Sequence, residues 1–184
     1  NADDDDDNDG CNDTVDQLPN DPADCFDFDG DGAGDNADPD DDNDGVLDED
    51  DAFPFDSTMS VDTDGDGWSD PDAGWPATTD CYGADAFPTD PTQWCDEDND
   101  GFGSNPEGNQ PDECPNNAGS STIDRIGCSD RDGDGYSNAG DPFPDDATQW
   151  SDRDGDNRGD NESGNNPDAF PDDTSQWKDS DGDG

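Results

Sequence analysis

Histidine is absent from this 184-residue chain, and lysine and arginine together number only five. The first absence removes the usual proton shuttle and the commonest nitrogen ligand for zinc. The second leaves 57 Asp and Glu almost unopposed at a formal charge of -52, so nucleic acid and anionic membrane are repelled. Apolar residues are scarce too, at 23%, and nowhere form the run of about 18 that a membrane span needs. Nor is there a signal-peptide core or a basic segment. Phe, Trp, Leu and Val lie singly between acidic stretches, so no hydrophobic core of ordinary size is available. Composition alone describes a disordered acidic chain. What such a surface attracts is cations.

What is present is a regular pattern. Eight times the chain writes an aspartate ladder, D-x-D-x-D followed by Gly or, once, Asn. Positions 1, 3 and 5 are Asp5, Asp7 and Asp9; Asp27, Asp29 and Asp31; Asp40, Asp42 and Asp44; Asp62, Asp64 and Asp66. The series continues with Asp96, Asp98 and Asp100; Asp130, Asp132 and Asp134; Asp152, Asp154 and Asp156; and Asp179, Asp181 and Asp183. Alternating carboxylates closed by a residue that permits a sharp turn form the oxygen cage a calcium ion needs. Position 6 is Gly10, Gly32, Gly45, Gly67, Gly101, Gly135 and Gly184, and the exception, Asn157, is the residue that best tolerates left-handed backbone after glycine. Position 7 offers a main-chain carbonyl from Cys11, Ala33, Val46, Trp68, Phe102, Tyr136 and Arg158. Position 9 is Asp13, Asp35, Asp48, Asp70 and Asp160, with Ser104 and Asn138 as weaker oxygen donors.

A second signature, Phe-Pro followed by Thr-Gln-Trp, separates the ladders at Phe53, Phe87, Phe143 and Phe170, each nine residues before the next ladder. Leu18-Pro19 obeys the same rule. In the compact modules the Phe or Leu lies 13 residues after the ladder start, which defines a 22-residue unit. Longer modules are this unit with insertions, and Cys114-Pro115 stands where Phe-Pro stands elsewhere. An acidic residue two before each anchor, Asp16, Asp51, Asp85, Asp112, Asp141 or Asp168, falls at position 12 in the compact modules, where calcium loops place their final carboxylate. Insertions are expected to bulge between positions 9 and 12. The ladder at Asp27 has its own position 12, Asp38, and runs directly into the ladder at Asp40, a tandem pair whose ions should be close neighbours.

Cys11 and Cys25, Cys81 and Cys95, and Cys114 and Cys128 are each 14 residues apart, which favours local disulfides. Zinc is the competing reading, against which stand the missing histidine and the absence of any tight cysteine cluster. Disulfides on a coreless chain place it in an oxidising, extracellular compartment. Cys25 falls at the Trp slot of the Thr-Gln-Trp signature, and Tyr136 is likewise 14 before Trp150. Disulfide and aromatic pair are therefore expected to be alternative clamps at one position, with Arg158 over Trp177 as a cation-π variant.

The ladder and its flanks resemble the thrombospondin type 3 repeat, in Asp27-Phe28-Asp29-Gly30-Asp31-Gly32-Ala33-Gly34-Asp35-Asn36, in Cys114-Pro115, and in Gln93, Gln149 and Gln176 shortly before a ladder. Phe replaces that family's first cysteine in most units, so its chain of disulfides between repeats is not carried over. The resemblance implies an extracellular, irregular chain wrapped around a string of calcium ions that do the work of a core.

The expected fold is thus irregular and mostly coil, an elongated calcium-stabilised array with little helix or strand, continuous over residues 1–184 and holding one to two ions per ladder. Asn1 to Gly10 match Asn36 to Gly45 at nine of ten places, which suggests a window of a longer array. The expected function is a calcium-rigidified stalk or filament segment at the cell surface, self-assembling in the filament case. The alternative is a calcium-dependent adhesion module that binds a receptor or glycan through the inserted loops around Trp75 to Tyr82 and Asn116 to Gly127. Without histidine, an activated nucleophile or a pocket-forming core, catalysis is not expected. Asn12 and Asn161 head glycosylation sequons.

Overall fold

A computed structural model describes residues 4–71, 81, 83–180 and 182. Trp75, Tyr82, Asp181 and Asp183 lie outside the described residues. Among those described there is no helix and no named strand; turns and bends follow one another, and an isolated parallel bridge joins Gly159 and Pro167. The irregular coil expected from the sequence is what forms. No helix is long and apolar enough to cross a membrane.

Two units are distinguished, Asn1–Ala77 and Thr78–Gly184. Neither holds an apolar centre: the buried hydrophobic side chains among the described residues are Ala84, Cys95 and Cys128, whereas Val15, Phe28, Phe55 and Trp177 are about half exposed or more. Carboxylates, glutamines and serines take the interior instead.

Three recurring backbone bonds set the repeat. The N–H of position 9 donates to the carbonyl just before the ladder, as in Asp35 to Phe26, Asp70 to Val61 and Asp160 to Ser151, at 2.8–3.0 Å. The residue before the Phe or Leu anchor donates to the Trp slot, as in Gln17 to Cys25, Ala86 to Trp94 and Ala169 to Trp177. This second closure fixes the nine-residue step. Third, the closing residue donates to the carbonyl of position 8, both in compact loops (Asp16 to Asn12, 3.0 Å; Asp141 to Ser137, 2.9 Å) and in lengthened ones (Asp112 to Gly103, 2.9 Å; Asp168 to Gly159, 2.8 Å). Insertions therefore bulge outward between positions 9 and 12 and leave the closing residue in place.

The Phe-Pro signature is a turn with its own carboxylate. Asp56, Asp90, Asp146 and Asp173 each donate N–H to the Phe carbonyl and accept the hydroxyl of Thr58, Thr92, Thr148 or Ser175 at 2.6 Å. Those hydroxyls are the largest cause holding the Asp90, Asp146 and Asp173 carboxyls below the ordinary range.

All three cysteine pairs are disulfides, Cys11–Cys25, Cys81–Cys95 and Cys114–Cys128, with no free cysteine among the described residues. Thiolate ligation of zinc is thereby closed to them. The alternative clamps form as well: Tyr136 stacks on Trp150 with centroids 6.1 Å apart and planes 5° from parallel, and Arg158 lies 5.2 Å from the Trp177 ring.

Candidate metal centres

Each ladder is a coil of N–H groups aimed at carboxylates. Position 1 typically accepts two, from position 4 through Oδ1 (Gly30 to Asp27, 2.8 Å; Gly133 to Asp130, 2.8 Å) and from position 6 through Oδ2 (Gly101 to Asp96, 2.8 Å; Asn157 to Asp152, 2.9 Å), whereas at Asp40 the Asn43 N–H turns to the main-chain carbonyl and Oδ1 is left buried without a partner. Position 3 accepts from position 5 (Asp31 to Asp29, 2.8 Å; Asp156 to Asp154, 3.1 Å), and position 5 from position 7 (Cys11 to Asp9, Val46 to Asp44, Tyr136 to Asp134). Bending the chain this tightly requires left-handed backbone twice. Among the described residues, position 6 has φ between 92° and 104° at its glycines and 69° at Asn157, so the asparagine exception is structurally equivalent. Position 4 is also left-handed, at Asn8, Gly30, Asn43, Gly65, Asn99, Gly133 and Gly155. Sequence reasoning missed position 4, although its restriction to Gly and Asn was there to be read.

These bonds use one oxygen of most carboxylates and turn the other inward. The oxygens of Asp5, Asp7 and Asp9, of Asp27, Asp29 and Asp31, and of Asp40, Asp42 and Asp44 come within 4.8 Å of one another. The closing carboxylates join them: Asp16, Asp51, Asp112, Asp141 and Asp168 each accept the N–H two residues on with Oδ1 at 2.6–2.7 Å. In Asp16, Asp112, Asp141 and Asp168 the remaining Oδ2 is buried without a hydrogen-bond partner, as it is in Asp7, Asp42, Asp64, Asp132 and Asp154 at position 3. Burial, first, and then like charges push two of the closing carboxyls up, Asp112 against Asp100, Asp98 and Asp96, and Asp141 against Asp134, Asp132 and Asp130. Displaced by five residues in sequence, Asp112 still faces its own ladder. Asp168 likewise faces Asp154.

Repeated, inward-facing, partnerless carboxylate oxygens are costly unless a cation satisfies them. The donor set is all oxygen and acidic, which fits a hard divalent ion of the calcium kind. Asp5 to Asp16, Asp27 to Asp38, Asp40 to Asp51, Asp96 to Asp112, Asp130 to Asp141 and Asp152 to Asp168 thus bring their expected residues together. For the ladder at Asp62, Asp85 belongs to the second unit. At the last ladder Gly182 donates to Asp179.

Position 9 has a job that the sequence did not reveal. One side-chain oxygen accepts the N–H of position 2 in seven loops, from Asp13, Asp35, Asp48, Asp70, Ser104, Asn138 and Asp160, at 2.8–3.3 Å. A hydroxyl or amide oxygen does this as well as a carboxylate, which accounts for Ser104 and Asn138.

The inserted loops serve the cages. Gln93 and Gln149, each 1% exposed, donate from Nε2 to two carbonyls (Asn105 and Asn109; Asn161 and Asn165) and accept the N–H of Asn105 or Asn161 at 3.0 Å. Loop 116–127 turns back onto the ladder at Asp96, where the Gly119 N–H donates to Asp100 at 2.9 Å. Asn12 is exposed, whereas Asn161 commits its side-chain amide to the Thr148 carbonyl.

No protein-family model matches the chain, and no curated protein matches it.

Proposed function

We propose that the chain is a calcium-binding structural protein of the extracellular space, a non-catalytic stalk or filament segment in which ions take the place of a hydrophobic core. One observation carries this reading: in loop after loop a ladder and its closing aspartate bury carboxylate oxygens that no hydrogen-bond donor reaches. Acidic clusters and three intramolecular disulfides fit a metal-binding protein of an oxidising compartment. Likeness of the ladder to the thrombospondin type 3 repeat supports calcium as the ion.

The energetics are of the right size. A site of about 0.1 mM affinity in about 1 mM calcium contributes roughly 1.4 kcal/mol by linkage. Seven such sites give on the order of 10 kcal/mol, comparable to the whole stability of an ordinary domain. Ligands held apart by charge in the unfolded chain converge only with the ion, so binding and folding are one event.

Circular dichroism and small-angle scattering with calcium, with magnesium and with a chelator test the proposal. Calcium is expected to hold a folded particle, chelation to expand the chain to coil dimensions, and magnesium, which demands tighter octahedral geometry, to substitute poorly. A scattering profile unchanged by chelation would overturn it.

A further inference from the structure

Twelve Asp-Gly steps occur in the chain, and every one lies in a ladder. The fold requires these glycines for their positive φ and not for space, since a Cβ at Gly32, Gly65 or Gly155 would meet nothing within 4 Å. They carry a chemical liability. With no Cβ on the following residue to crowd the approach, a glycine nitrogen reaches the Cγ of the aspartate before it more readily than any other residue's does. Attack forms an N–Cγ bond, and the amide proton leaves with the carboxyl hydroxyl as water, closing a succinimide ring. Water then opens the ring at either carbonyl. Opening at the α-carbonyl leaves an isoaspartyl link, in which the main chain runs through Cγ and is one methylene longer.

Both partners in that reaction are tied down here. Among the described residues up to Gly155, all ten glycine nitrogens of these steps donate to the position-1 carboxylate of their own ladder, as Gly65 and Gly67 do to Asp62 at 2.7 and 2.9 Å. The carboxyls open to attack are held from the other side. Asp64 accepts the N–H of Asp66, and Asp66 that of Trp68. Their second oxygens, like those of Asp132 and Asp134, are buried without a hydrogen-bond partner. A cation beside these carboxyls keeps them ionised, and only the neutral acid has a hydroxyl to lose.

We infer that the ladder Asp-Gly steps are isoaspartyl modification sites, guarded by the position-1 carboxylate and the bound ion and opened when the ion leaves. The inference rests on the ladders' being calcium cages. Its consequence is a one-way loss. Isoaspartate moves the free carboxylate onto the α-carbon and lengthens the loop, so a converted ladder does not close its cage when calcium returns.

Peptide mapping with electron-transfer fragmentation, which distinguishes isoaspartyl from aspartyl, tests this on the full 184-residue chain stored at neutral pH with calcium or with a chelator. Isoaspartate is expected to accumulate at least about tenfold faster in chelator, the factor by which a site of about 0.1 mM affinity in about 1 mM calcium protects its closed form. Asp156-Asn157, where a side chain crowds the nitrogen, is expected to lag behind Asp134-Gly135 after chelation. In calcium, Asp96→Asn takes an acceptor oxygen from the Gly101 N–H, and is expected to raise conversion at Asp100 while Asp134 keeps its unsubstituted rate. No rise at Asp100, or an equal rise at both, overturns the position-1 guard. Equal rates with and without calcium, in a chain whose scattering shows that calcium folds it, overturn the inference and leave the calcium reading standing. Scattering that ignores calcium overturns both.

Discussion

The two units solve the same packing problem with different interiors. Among the described residues before Ala77, the buried polar side chains are Asp16, Asp24, Asp27, Asp41 and Asp42, with Ser69 as the one neutral member. After it, Asp85, Asp112, Asp141 and Asp168 share the interior with Gln93, Gln149, Ser121, Ser137 and the half-cystines Cys95 and Cys128. A neutral amide both donates and accepts, so it satisfies its surroundings unaided. A carboxylate only accepts, so an interior made of carboxylates is incomplete without a cation. The first unit is therefore expected to depend on ions throughout, and the second to keep locally hydrogen-bonded loops when ions are withdrawn.

The sharpest way to break this difference is Gln149→Glu, which gives the second unit an interior carboxylate like those of the first. It strips the donor from the carbonyls of Asn161 and Asn165 and buries a charge, at a cost of about 3 kcal/mol in saturating calcium. Hydrogen exchange at the Asn161 amide measures it, and a change under 1 kcal/mol would contradict this role for the glutamine. The clamps offer a second comparison. Opening the Cys11–Cys25 disulfide by paired serine substitution is expected to cost the first unit about 3 kcal/mol, whereas Trp150→Ala, at the equivalent place in the second, costs about 1 kcal/mol. Gly159→Ala places a methyl group where Gln149 sits and is expected to cost about 2 kcal/mol, read as a lower thermal midpoint. Arg158→Ala removes a half-exposed cation-π contact worth about 0.5–1 kcal/mol. Smallest of all, Asn138→Asp leaves the accepted Arg131 N–H in place and should stay within about 0.5 kcal/mol.

Much of this was legible in the sequence because it is periodic. Ladder, nine-residue step, closing aspartate and 14-residue cysteine spacing all repeat, and repetition exposes a residue whose position is fixed. The displaced Asp112 and Asp168 could be placed since their anchors Cys114 and Phe170 keep a constant offset. What escaped was the work of residues whose partners lie across an insertion. Gln93 and Gln149 were visible as recurrent glutamines, yet their bonds to Asn105 and Asn161, 12 positions further on, depend on how the chain between folds back. Asp24 and Asp41 hid for a different reason: in a chain with 57 acidic residues, a buried carboxylate has the same letter as an exposed one.

The central claim is that cations stand where a core would be, and hydrogen exchange resolved along the chain, with calcium and after chelation, tests it most directly. In calcium, the amides that point at ladder carboxylates, such as Gly32, Gly45, Gly101 and Asn157, are expected to be protected. After chelation, protection at Gly32 and Gly45 should fall to that of an unfolded chain, with a residue surviving at Asn105 and Asn161 under Gln93 and Gln149. Equal protection with and without calcium at Gly32 and Gly45 would contradict the account.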